Sequence, residues 1–173
     1  MNNSKSIRRL YARIRFVLSL FILGLVVSGA TAIPLADELD MLTQWMGLPA
    51  AADPRHYTGL DAWLLTVRAA LHTVDARMPF LFYGTDWLAF GHFAIAIAFL
   101  GPWREPVRNV WVITFGMIVC VLVIPYALVF GPLRGIPFYW RLIDCAFGVA
   151  GFFPLLWCRL MIGQLERRGV SAY

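Results

Sequence analysis

Val110–Phe130 reads VWVITFGMIVCVLVIPYALVF and contains no charged residue. A helix needs about 20 mainly apolar residues to cross a bilayer core roughly 30 Å thick, and this stretch supplies them. Three further runs follow the same rule: Phe16–Ile33 (FVLSLFILGLVVSGATAI), residues 85–101 and residues 140–162. The chain of 173 residues is 60% hydrophobic and 14% charged, with a mean hydropathy of +0.69. Soluble domains carry about 25% charged residues. The expected fold is all-α, a polytopic integral membrane four-helix bundle.

Working outward from the four spans divides the chain into a basic tail (1–15), a long connection (34–84), two short loops (102–109 and 131–139) and a second tail (163–173). Pro102, Pro132 and Pro137 are expected outside the spans, where helices begin or end. The net charge of +5 does not point to nucleic acid, because the basic residues sit at segment ends instead of forming a stripe on a soluble domain. Lys5, Arg8, Arg9, Arg13, Arg15, Arg104, Arg108, Arg159, Arg167 and Arg168 all fall on one side of a four-span threading. The positive-inside rule then places both termini in the cytoplasm, in a bacterial cytoplasmic membrane. Trp87, Trp103, Trp111, Trp140 and Trp157 lie near span ends, as an aromatic belt requires. RRLYARIR, the following apolar run and Ala30-Thr31-Ala32 also resemble a secretory signal with its cleavage site. The run is long for a signal, so an uncleaved anchor is expected. Cys120, Cys145 and Cys158 lie in apolar segments and form no CxxC, which makes them small buried hydrophobes.

The connection 34–84 is too long to be structureless. Leu35, Leu39, Leu42 and Met46 recur at helical spacing after Pro34, with Asp37, Glu38 and Asp40 near the helix start. A second helix is expected from Thr58, with Thr58 and Asp61 as a capping box. Its apolar stripe comprises Leu60, Trp63 or Leu64, Val67, Leu71 and Val74, while Asp61, Arg68, His72 and Asp75 lie off it. These are two extracytoplasmic amphipathic helices that lie on the membrane or cap the bundle. His56 and His72 are expected at the surface. Neither has a second ligand at metal spacing, so neither metal nor cofactor is expected.

Small residues should let the helices approach: Gly24, Ser28 and Ala32; Ala89 and Ala96 flanking His92; Gly116, Cys120 and Ala127; Gly148 and Gly151. The pattern serves internal packing or a homodimer equally. A charge in hydrocarbon costs several kcal/mol, which makes an ionisable residue within a span a functional candidate, and four candidates appear. They are Asp86, His92, Arg141 and Asp144, all in the outer half. Arg141 and Asp144 are three apart and can pair on one helix face. Asp86 follows Thr85, the expected N-cap. His92 is turned about 240° from Asp86, so those two cannot form a dyad within their helix. As a set the four could stabilise helix starts, or line an outward-facing polar pocket.

YGTDWLAFGHF (83–93), GPWREPVRNVWVITFGM (101–117) and RGIPFYWRLIDCAFG (134–148) together resemble a group of small four-span bacterial membrane proteins with no activity attached. The resemblance implies topology and no site. No Walker A, HExxH, GxSxG or Rossmann glycine pattern occurs. The preferred expectation is a non-enzymatic accessory or assembly component working through helix contacts and its outer cap, with lipid and a membrane protein or a second copy as partners. The alternative is a small enzyme or carrier using the four-residue cluster on a lipid, quinone or small solute.

Overall fold

The computed structural model describes residues 2–170. Among them are six α-helices and no strands: α1 Asn2–Thr31, α2 Leu35–Trp45, α3 Gly59–Arg77, α4 Tyr83–Arg104, α5 Val110–Leu133 and α6 Phe138–Arg167. Four segments, Ser4–Thr31, Pro79–Arg104, Val110–Leu133 and Phe138–Arg167, are long and apolar enough to cross a membrane. The expected placement of two prolines is corrected: Pro102 and Pro132 lie inside α4 and α5. Each helix stops within two residues of its proline, so the proline marks the last turn instead of following it. Pro137 stands at the N-cap of α6, as expected.

The chain divides into two compact units, Met1–Gly24 with Ile95–Tyr173, and Leu25–Ala94. In the first, Leu10, Ile14 and Leu18 recur every four residues on α1 and are buried together with Phe99, Ile113, Leu155, Ile162 and Leu165. The basic segment before residue 16 is therefore the first half of α1. Its Arg8, Arg9 and Arg13 are exposed while Leu10 and Ile14 face the core, an amphipathic pattern already written in RRLYARIR. Arg15 donates to the carbonyl of Trp103 at 3.2 Å, and its guanidinium lies 5.3 Å from that indole ring. A cation thus meets the carbonyl end of α4, where the helix dipole is negative.

The α5–α6 hairpin turns through a Schellman motif. Ile136 N–H donates to Gly131 O at 2.9 Å and Gly135 N–H to Pro132 O at 3.1 Å. Gly135 takes φ +70, a conformation that costs a residue with a Cβ roughly 1–2 kcal/mol. Below the turn the two helices touch backbone to backbone. A methyl on Gly148 would strike the Cys120 carbonyl oxygen, and one on Gly151 would lie 2.9 Å from Cys120 Sγ. The expected small stripes of these two helices are thus used in packing against each other.

In the second unit, α2 and α3 pack through Leu39, Thr43, Leu64 and Leu65. Two expected features are corrected here. The α2 stripe Leu35/Leu39/Leu42/Met46 is not the buried face, because Leu42 and Met46 are exposed and Thr43 takes the interior place, donating to Leu39 O at 2.8 Å. Thr58 is the N-cap of α3 but makes no side-chain capping bond. The polar residues do more than face solvent. Asp40 Oδ1 accepts from Arg68 Nε at 2.5 Å and lies 2.8 Å from His72 Nε2, and Arg68 also donates to Ala50 O at 2.8 Å. Arg68 and His72, one turn apart on α3, clasp a single carboxylate of α2.

The bond from Arg68, then that from His72, holds the Asp40 carboxyl below its ordinary range. A depressed folded pKa means the clasp stabilises above the unfolded carboxyl value, about 3.9, and is lost as pH falls through the lower folded value. Spin labels at the exposed Met41 and Thr66 should therefore keep a narrow distance distribution down to about pH 4 and broaden below it. Asp40→Asn should show the broad distribution at pH 7. A distribution in Asp40→Asn as narrow as in the wild type would refute the clasp.

Gly29, and not Gly24, is the approach residue of α1 in this unit. A methyl there would sit 2.9 Å from Phe93 Cε1 and 3.0 Å from Ala89 O, whereas Gly24 has open space.

Candidate functional site

Asp86 and His92 belong to the unit Leu25–Ala94, Arg141 and Asp144 to the other. Asp86 is exposed in the first turn of α4. Thr85 is not its N-cap: α4 already begins at Tyr83, and Thr85 Oγ1 donates back to Phe82 O at 2.7 Å. The apolar turn Pro79–Phe82 feeds directly into the helix, so no separate polar cap is needed. His92 Nδ1 donates to Leu88 O at 2.8 Å. A carbonyl only accepts, so the proton resides on Nδ1. The His92 Cβ packs 3.0 Å from the position a Gly29 methyl would take. Asp86 and His92 make no contact with each other along their helix, as the 240° rotation requires.

The Arg141–Asp144 ion pair does not form; the five ion pairs among the described residues involve neither. Arg141 instead lies 5.2 Å over the Phe138 ring, with its stem against Gly131. Side chains on a helix lean toward its N-terminus, which carries Arg141 back to Phe138 and away from Asp144. A basic residue preceding an acid is also the weaker order for such a pair. Arg141 Nε is buried without a hydrogen-bond partner, and the aromatic face supplies the guanidinium's electrostatic contact.

Asp144 is half-buried, and its carboxylate makes no hydrogen bond or ion pair with any described residue. It lies one turn before Gly148, on the face of α6 turned toward α5. There it lines a groove of about 570 Å³ together with Val119, Leu122, Val123, Tyr126, Ala127, Phe130 and Gly131 of α5, and with Arg134 and Ile136 of the turn. The α5 residues recur at three- and four-residue steps and form one continuous stripe. Their span of twelve steps corresponds to about 18 Å. The volume falls within the range of about 300–1,000 Å³ typical of small-molecule sites. Only Asp144 and Arg134 on its walls carry charge.

Arg134 is not among the candidates read from sequence. The signal available was its place directly after the apolar stripe, at the C-cap of α5. The Asp40–Arg68–His72 clasp was equally missed, because its partners lie 28 and 32 residues apart. No family model, curated protein or solved structure matches this chain.

Proposed function

We propose that this chain is a small integral membrane protein that works by binding, not by catalysis, through the groove between α5 and α6. Asp144 serves as the counter-ion for a cationic group on an amphiphilic guest. The observation that carries this reading is an acid without a counter-ion on the wall of a groove that is otherwise uncharged except for Arg134. Keeping an acid at a lipid-facing position costs on the order of 3 kcal/mol on insertion scales. Ionisable residues in spans pair with one another or mark ligand paths, and Asp144 has no internal pair. This reading is nearer to the alternative expectation of a ligand carrier than to an accessory component working through helix contacts and an outer cap.

Both termini lie in the cytoplasm and α2, α3 and the α5–α6 turn lie outside, by the distribution of basic residues. On that threading α2 rests in the outer interface through Met41 and Trp45, the latter 87% exposed. Membrane-impermeant thiol reagent should label a cysteine at Ser4 only after cells are opened, and one at Arg55 in intact cells. The reverse pattern would invert the topology.

The binding reading is tested by titrating the purified protein with dodecylamine and with dodecanol. The amine should saturate a single site. Asp144→Asn should weaken it about tenfold or more, the loss of one charge-assisted contact of about 1.4 kcal/mol or greater. The alcohol should be indifferent to the substitution. Equal binding of the amine by both proteins would sink the reading.

A further inference from the structure

We propose that the guest of the groove carries its cation in the middle of its length. It is a lipophilic secondary or tertiary amine with an apolar arm on each side of the nitrogen. This rests on the binding reading above and adds to it the shape and chemical class of the guest. The register of α5 against α6, the two halves of the groove wall and the place of Arg134 carry it.

Two contacts fix the register. A methyl on Gly148 would strike the Cys120 carbonyl oxygen, and Cys145 Sγ donates to Ile124 O at 4.0 Å. The helices run antiparallel on either side of a tight turn, so a step toward the turn on α6 matches a step toward it on α5. Asp144 is one position nearer the turn than Cys145 and therefore stands level with Ile124 and Pro125. The stripe that lines the groove runs along α5 from Val119 to Gly131, and Pro125 is at its midpoint. About 9 Å of wall thus extends from Asp144 toward the turn, and about 9 Å away from it.

Both halves of that wall are uncharged. Val119, Leu122 and Val123 line the half away from the turn, and Ala127, Phe130 and Gly131 the half toward it. The other charge on the walls, Arg134, is exposed and stands past the stripe at the C-cap of α5.

A guest with a terminal ammonium has two poor placements in this groove. With its nitrogen at the turn, the ammonium faces the like charge of Arg134 and Asp144 keeps no counter-ion. With its nitrogen at Asp144, its single chain covers one half of the wall and forfeits the contacts of the other. An amine inside the chain meets the carboxylate and lays an arm along each half. A protonated secondary or tertiary amine still has an N–H to donate to Asp144, whereas a quaternary ammonium has none.

The test titrates the purified full chain with dihexylamine and dodecylamine, isomers that share twelve carbons and one nitrogen. Dihexylamine should bind about tenfold tighter, because the many small contacts of its second arm add up. Val119→Trp fills the half of the groove away from the turn, and Ala127→Trp the half toward it. Each should weaken dihexylamine about tenfold, whereas dodecylamine should respond to one of the two, the half its chain occupies. Equal affinities of the wild type for the two isomers would overturn the proposal. That comparison needs no substitution, so it decides the matter even where a tryptophan variant fails to fold. Dihexylamine binding that either tryptophan leaves untouched would overturn it too. In both cases a loss of dodecylamine binding in Asp144→Asn would leave the binding reading standing. If neither amine binds the wild type, the binding reading and this inference fall together.

Discussion

Gly148→Ala is expected to lower stability by about 3 kcal/mol, the upper end of the range for overpacking. The added methyl meets the carbonyl oxygen of Cys120, which is backbone and cannot turn aside as a side-chain terminus would. The α5–α6 hairpin must open by roughly an ångström, and Gly151, one turn away and also against Cys120, loses its fit. Without a hydrophobic force between helices in lipid, packing contacts of this kind carry association, and a small separation forfeits a large share of them. Gly91→Ala is the matched control. Gly91 has open space, so alanine should be neutral or raise stability by about 0.5–1 kcal/mol. Thermal unfolding in detergent should separate the two variants by roughly 6–12 °C, at the 2–4 °C per kcal/mol usual for a chain of this size. Coincident midpoints would show that the two helices do not touch at Gly148.

Replacing Asp144 should act in the opposite direction. Asp144→Leu is expected to stabilise the protein by about 1–3 kcal/mol, because an acid without a counter-ion gives way to an apolar side chain on an apolar wall. The full difference on insertion scales is larger. It is discounted here because Asp144 is half-buried near a helix start and retains access to the polar layer. Most substitutions destabilise, and a gain at a single position marks a residue kept for something other than folding. If Asp144→Leu instead lowered stability by a similar amount, Asp144 would have a structural partner and the binding role would lose its basis.

Much of the fold can be read in the sequence because bilayer thickness imposes a simple length rule. Val110–Phe130 announces α5 almost to the residue, the runs 85–101 and 140–162 fall within α4 and α6, and Phe16–Ile33 overruns the end of α1 by two residues. Helix ends are less legible. Pro102 and Pro132 mark terminal turns, but a last turn that runs one or two residues beyond a proline has no separate sequence signal. Small residues announce close approach without choosing a partner, so Gly148 and Gly151 are used as expected while Gly29 replaces Gly24. The polar residues are the least legible. Spacing allows Arg141 to pair with Asp144, yet the lean of helical side chains and the Phe138 ring decide otherwise. Asp40, Arg68 and His72 are invisible as a group until α2 and α3 fold onto each other. Of the four ionisable candidates Asp144 lines the groove, and Arg134, visible in sequence only as the residue after an apolar stripe, lines it too.

The central claim is that Asp144 is kept without a counter-ion so that a cationic amphiphile can supply one. The most direct test compares unfolding midpoints of wild type and Asp144→Asn, each with and without dodecylamine at about ten times its dissociation constant. A ligand that binds only the folded state at that level adds about 1.4 kcal/mol. The account predicts that Asp144→Asn alone unfolds at a higher temperature than wild type. It also predicts that the same amine concentration raises the wild-type midpoint by roughly 3–6 °C and that of the variant, with a site about tenfold weaker or more, by no more than about 1–2 °C. An equal amine shift in both proteins, or a variant less stable than wild type, would contradict it.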